Sequence, residues 1–286
     1  LGSLIVVCDG MGGMQGGSVA SQLAVQTILE TVALADKKTN PKTVLIQAIK
    51  NANAAIIEHG QNNPNLRGMG TTATVLLLTP YSALTAYVGD SRIYQLRNGK
   101  KIFRTFDHSM VFEMVKKRII SEEQARLSAQ SNVILKALGV NADVEVEIAE
   151  RPYKKGDRFV LCSDGFRGAM PEEEFVRHLV ESNPIDKILE STANVVESIG
   201  RNSGQEFDNL TAAILEMSNN SILKEKMNRT AKIIILVLTV LLLISLVFNI
   251  SMVIQNKTND GLSPEKEQVD SIKNAAQVNT DSTKVK

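Results

Sequence analysis

The chain has 286 residues, enough for one domain of ordinary size with an appendage, and its 32 basic and 31 acidic side chains leave a formal net charge of +1. That balance gives no electrostatic case for a nucleic-acid partner. With two cysteines and three histidines, Cys/His spacing for zinc is absent; Cys8 and Cys162 lie in apolar runs and read as core residues of a reduced, cytosolic domain.

In chain order, residues 4–8 form an apolar run that stops at Asp9-Gly10-Met11-Gly12-Gly13. A buried strand that delivers a carboxylate is the natural reading, with glycines letting backbone approach whatever that carboxylate holds. Residues 17–34 carry apolar side chains at helical spacing, with Ser18 as N-cap; Asn40-Pro41 breaks the chain, and 44–59 makes a second amphipathic helix. Strands are predicted at 71–78, 84–88 and 93–96, the last entering the hairpin turn Arg97-Asn98-Gly99-Lys100. Such short connections predict antiparallel pairing. Helices follow at 110–117 and from Ser121, where Ser-Glu-Glu-Gln resembles a capping box. Residues 133–138 are ambiguous, and 144–148 alternate as a half-exposed strand. A second acid-tipped strand, 158–162, runs into Ser163-Asp164-Gly165; helices at 172–181 and 185–199 and a strand at 210–216, just after Asp208-Asn209, close an α+β domain over 1–217.

Residues 218–232 are polar and basic and read as a linker. Residues 233–254 are 22 in number with no charge and no proline. At ~1.5 Å per residue they extend about 33 Å, enough to cross a hydrocarbon core of ~30 Å. Lys224, Lys226, Arg229 and Lys232 precede this predicted transmembrane helix, so the folded domain is expected in the cytoplasm of a single-pass inner-membrane protein. The tail, 255–286, is polar and expected to be disordered and outside. The first residue is leucine and a strand begins almost at once, so the sequence is read as lacking its own N-terminus.

Four acids, Asp9, Asp90, Asp164 and Asp208, stand at strand edges. Acids repeated in that setting point to one cluster for hard divalent cations, which prefer oxygen ligands. The ordered set Asp9-Gly-Met-Gly-Gly, Gly70-Thr71-Thr72-Ala73, Gly89-Asp90-Ser91-Arg92, Asp107-His108-Ser109, Ser163-Asp164-Gly165 and Asp208-Asn209-Leu210-Thr211 resembles the bacterial metal-dependent protein phosphatases of the 2C type. The resemblance implies two packed antiparallel β-sheets flanked by helices, an αββα sandwich, with a metal centre at one end. It further implies two Mn²⁺ or Mg²⁺ ions, with Asp9 bridging, the Gly10 carbonyl as a further ligand, Asp164 and Asp208 on the first ion, and Asp90 on a third, weaker one. Asp9, Asp164 and Asp208 are the implied catalytic set.

Milder readings apply to the neighbours. Asp107 and Ser109 are read as caps of the following helix, His108 as structural, Arg92 as a salt-bridge partner in the sheet, Asn209 as orienting Asp208, and Gly70-Thr71-Thr72 as packing without chemistry. Against the family pattern, a phosphate-gripping arginine and an acidic motif upstream of the first strand have no counterpart, Met14 stands where a histidine is common, and Gly168 where many relatives carry an acid. The expected function is hydrolysis of phosphoserine and phosphothreonine in proteins, opposing a Ser/Thr kinase. A phosphoprotein-binding pseudophosphatase is the alternative, and a small-molecule phosphohydrolase a third. Three acids crowded together repel unless cations fill the site, which argues for catalysis.

Overall fold

The computed structural model describes residues 1–181, 183–203, 208–222 and 238–241. The chain divides into two compact units, Leu1–Glu225 and Lys226–Lys286. In the second, 238–241 form a helical turn. The rest of the predicted span, the whole predicted tail and residues 223–232 of the predicted linker lie outside the described residues. Among the described residues no helix is long and apolar enough to cross a membrane.

The first unit opens with β1 (Ser3–Val7) and β2 (Gly10–Met11), then α1 (Gly13–Leu34) and α2 (Pro41–Asn62). Strands β3 (Gly70–Thr71), β4 (Ala73–Leu78), β5 (Ala83–Val88), β6 (Arg92–Arg97) and β7 (Lys100–Arg104) follow, then α3 (Met110–Lys116) and α4 (Glu122–Arg126). Next come β8 (Glu147–Arg151), β9 (Arg158–Cys162), α5 (Asp164–Gly168), α6 (Glu172–Leu179), α7 (Ile185–Ser203) and β10 (Ala212–Glu216). One sheet is ordered β1-β4-β5-β8 and the other β10-β9-β6-β7, with β2-β3 as a small ribbon. All named pairings are antiparallel.

Side-chain alternation builds the layers. Ala73, Val75 and Leu77 of β4 face α1 and α2, where Ala24, Ile28, Leu45 and Ile49 bury against them. Leu76 and Leu78, one residue out of phase, meet Ile93, Phe159 and Leu161 between the two sheets. On the other side Tyr94, Val160 and Cys162 pack under Phe166, Phe175 and Ile188 of α5, α6 and α7. Strands covered on both faces are largely apolar, and the polar side chains they do bury, Thr74, Thr85 and Gln95, each find a hydrogen-bond partner. The expected helix–sheet–sheet–helix arrangement is present. In the β6–β7 turn Asn98 and Gly99 both take positive φ, as a two-residue hairpin loop requires.

Several local expectations are corrected. Ser18 does not cap α1: the helix begins at Gly13 behind a left-handed Gly12, so the glycine loop forms its first turns. There Gly10 and Gly17 touch backbone to backbone; a Cβ on Gly10 would fall 2.0 Å from the Gly17 carbonyl oxygen. Asn40-Pro41 starts α2 rather than breaking the chain, with Asn40 Oδ1 accepting the Lys42 N–H and proline at the first helical position. The strand predicted at 71–78 divides at Thr72, its first two residues pairing with β2 and the rest with β1. The strand predicted at 144–148 is instead β8, whose pairing with β5 ends at Tyr87↔Glu147. Beyond Val88 the chain turns at Gly89, φ 110, leaving no edge for residues 144–146.

Candidate functional site

The strand directions collect the acids. β1 and β5 are both antiparallel to β4, so their C-terminal ends, leading to Asp9 and Asp90, share one edge of the first sheet. In the second sheet Cys162 at the end of β9 pairs with Arg92 at the start of β6 and Ala212 at the start of β10. The segments bearing Asp90, Asp164 and Asp208 therefore also meet at one edge. The two edges face the same end of the sandwich: Asp9 hydrogen-bonds Asp164 and feels the charges of Asp164, Asp208 and Asp90. All four predicted acids are thus brought together, with Gly10 of β2 directly after Asp9. Asp90, Asp164 and Asp208 line one cavity of about 800 Å³, which extends under α4 to Phe112 and Leu127.

Hydroxyls fix the backbone around these acids, and this was not visible in the sequence. The Thr72 Oγ1 accepts the Asp9 N–H at 2.9 Å, and the Thr72 N–H and Thr71 Oγ1 each donate to the Asp9 carbonyl at 2.8 Å. The Thr72 and Ser91 hydroxyls bond each other at 2.9 Å, tying the Asp9 loop to the Asp90 loop. Across the second sheet Ser163 Oγ accepts the Thr211 N–H and donates to the Asn209 carbonyl, both at 3.2 Å. Gly70-Thr71-Thr72 is therefore a clamp, not only a packing element. Gly165 must lack a side chain, because a Cβ there would lie 2.6 Å from the Asn209 carbonyl oxygen and 3.1 Å from Asp208 Cβ. Asn209 orients Asp208 through its backbone, donating its N–H to Asp208 Oδ1 at 2.7 Å.

The electrostatics identify what such a cluster lacks. Burial, the Asp164 charge and the hydrogen bond with Asp164 push the Asp9 carboxyl up to about 8, with Asp208 and Asp90 adding to the effect. Acids held this close retain a proton unless a cation replaces it. The donor set is all oxygen, which suits Mg²⁺ or Mn²⁺ and not zinc held by sulfur. Among the described residues no group of three His, Cys, Asp or Glu side chains gathers on a single ion, so carbonyl and water ligands would complete each shell. The residues present fit divalent cations.

Around the acids lies a buried ionic network. Asp107 does not cap α3. It is 2 % exposed and accepts from Arg92 Nε at 2.6 Å, Arg92 Nη2 at 2.8 Å and Arg167 Nη2 at 2.9 Å. Burial works against its charge, yet Arg167 and Arg92 hold the Asp107 carboxyl below the usual carboxylate value. Ser109 caps α3 alone, accepting the Phe112 N–H. Arg92 also reaches Glu172 at 3.3 Å and lies over the Phe112 ring, so it is a salt-bridge residue as expected. His108 is buried and structural: its Nδ1 accepts the Gly89 N–H at 3.1 Å, which puts the ring proton on Nε2, 2.9 Å from Glu147. Gly168 lines the cavity as a bare backbone position.

A family model described as protein phosphatase 2C matches residues 2–203. The serine/threonine phosphatase stp of Listeria innocua is 35% identical over 217 residues, spanning 74% of this chain and 84% of that protein. The crystal structure of serine/threonine phosphatase Stp1 from Staphylococcus aureus matches with a TM-score of 0.68 at 28% identity, over 75% of this chain and 83% of that one. The catalytic domain of the serine/threonine protein phosphatase PstP, solved in complex with two manganese ions, matches with a TM-score of 0.59 at 29% identity, over 74% of this chain and 85% of that one.

Proposed function

The chain belongs to the protein phosphatase 2C family, and on that footing we propose how its acidic cluster works. It is a protein-serine/threonine phosphatase, removing phosphate from phosphoserine and phosphothreonine in proteins. Asp9, the Gly10 carbonyl, Asp164 and Asp208 would hold two Mn²⁺ or Mg²⁺ ions. Once bound, the two cations supply a water acidified for attack and positive charge for the phosphoryl oxygens. The chain's own part is placement. The Thr71–Thr72 clamp holds the Asp9 backbone, the Ser163 hydroxyl holds the Asp208 loop, and the cavity beside them admits a phosphorylated side chain from a protein surface. Phosphoryl transfer asks a protein mainly for such positioning and charge neutralisation.

The observation that carries this reading is the Asp9 carboxyl, pushed up to about 8 by burial and three neighbouring acids. The finer assignments are proposals of the same kind: a substrate phosphorylated by a Ser/Thr kinase, and a cytoplasmic domain tethered to the cell membrane. The tether is supported by 22 uncharged residues at 233–254 with basic residues ahead of them. Phosphate release from a phosphothreonine peptide, measured with Mn²⁺, with chelator and in Asp164→Asn, tests the centre. Release abolished by both treatments is expected. A folded, Mn²⁺-loaded protein that releases nothing would return the reading to a phosphoprotein-binding module.

A further inference from the structure

We infer that this phosphatase selects substrates with an apolar residue beside the phosphorylated one, taken up in the cavity that Leu127 and Ile199 line. This deepens the phosphatase reading above by naming a substrate class for the same site, and it rests on that reading.

The cavity that reaches Asp90, Asp164 and Asp208 has room for more than one phosphorylated side chain. Its volume of about 800 Å³ corresponds to a width of roughly 10 Å, which an extended chain crosses in about three residues at ~3.3 Å each. The neighbours of a phosphothreonine therefore also lie against its walls. Apart from the three acids of the centre, seven charged side chains line those walls, and every one is paired within the protein. Arg92 and Arg167 bind Asp107, Arg126 binds Glu123, and Arg104 from behind the wall binds both Glu122 and Glu172. A lysine or glutamate next to the phosphoresidue meets no unpaired charge there.

The uncommitted lining is apolar. Leu127 ends α4 and is 68 % exposed, at the cavity. Two residues earlier Ala125 is fully buried with Val111 and Phe112, a small cluster that Leu127 does not join. Ala169, which ends α5 five residues after Asp164, and Ile199 of α7 line the same cavity and are only partly buried in the core beneath them. Ala129 and Ala169 carry one methyl each and take little of the space. The apolar lining is thus continuous with the acid-bearing one. With its charges already paired, such a wall discriminates by the apolar surface a substrate buries on it. Leu127 and Ile199 are on this account specificity-determining residues.

Four phosphothreonine peptides test this with the full chain and Mn²⁺, identical except for leucine, serine, lysine or glutamate on both sides of the phosphoresidue. The leucine peptide is expected to exceed each of the others about tenfold in kcat/KM, through a lower KM, as contacts in an apolar pocket allow. Leu127→Ser, at an exposed position, should bring the leucine-to-serine ratio toward one, Ile199→Ala should lower it in part, and Leu127→Met should keep it. Circular dichroism matching the wild type establishes that each variant is folded. Equal values for the four peptides, or a lysine or glutamate peptide ahead, would overturn the inference and leave the phosphatase standing. A ratio unchanged in folded Leu127→Ser would overturn it equally. Release from none of the four would overturn the phosphatase reading itself.

Discussion

Replacing Asp107 by asparagine keeps the volume of the side chain and removes its charge from between buried Arg92 and half-buried Arg167. Asp107 is 2 % exposed and accepts three charge-assisted bonds, at 2.6, 2.8 and 2.9 Å. An amide keeps one acceptor oxygen and turns an NH₂ toward guanidinium donors, so Arg92 and Arg167 lose the compensation that made their burial tolerable. Breaking a buried pair by removing one partner costs about 3–5 kcal/mol. With a urea dependence of about 2–3 kcal/mol per molar, the unfolding midpoint should fall by about 1–2 M at neutral pH. The pH dependence gives a second reading. The folded carboxyl lies below its ordinary value of 3.8, so its contribution is complete above that value and is lost as pH falls through the lower, folded one. The gap between wild type and variant should therefore be full at pH 6 and shrink below pH 4. Urea unfolding followed by circular dichroism at both pH values measures it. A loss under about 1 kcal/mol, or a gap that does not change with pH, would refute the argument that this network is charged and mutually dependent.

Other perturbations separate the clamp, the loop contact and the core. Thr72→Val leaves the Asp9 N–H without its acceptor and cuts the bond to Ser91, so stability should fall by about 1–3 kcal/mol. Mn²⁺ affinity, read by titration, should weaken about 10–100-fold, as when a residue supporting a metal ligand is lost. Gly165→Ala drives a methyl group to 2.6 Å from the Asn209 carbonyl oxygen, so phosphate release should collapse while the far-ultraviolet dichroism stays native. Burial pushes the Cys162 thiol up to about 12; in the native protein it should resist a thiol-specific reagent at pH 8 and react once urea unfolds the chain.

What could be read from the chain and what could not divide along physical lines. The acids of the centre were legible because an acid at a strand edge is a local pattern and it recurs four times, as Asp-Gly after an apolar run at Asp9 and Asp164, as Gly-Asp at Asp90, and as Asp-Asn ahead of a strand at Asp208. The layering followed from runs such as 73–78, apolar at all but Thr74 because both faces are covered. Asp107 was misread because local rules see Ser109 and a helix two residues on, whereas its partners Arg92 and Arg167 are 15 and 60 residues away. Helix α5, five residues long, is too short to show a period. The alternation at 144–148 was real, since Val144, Val146 and Ile148 do pack against the first core, but alternation reports burial and not the presence of a neighbouring strand.

The clamp residues carry the broader point. Thr72, Ser91 and Ser163 have no unusual spacing, and in a sequence a strand-end threonine or serine looks like ordinary β-propensity. Their effect emerges only where four mutually repelling carboxylates must be held before any cation arrives. Each hydroxyl bonds a main-chain group of an acid-bearing loop or a second hydroxyl across the cluster, so rigidity comes from neutral groups that add nothing to the local charge. A basic side chain could have fixed the same loops, but it would also have competed with the metal ions for Asp9, Asp164 and Asp208. The structure uses arginine only one step back, at Asp107 and at the Asp90 carbonyl, and hydroxyls where the carboxylates must stay free. That division of labour is what an acidic centre meant for exchangeable cations requires.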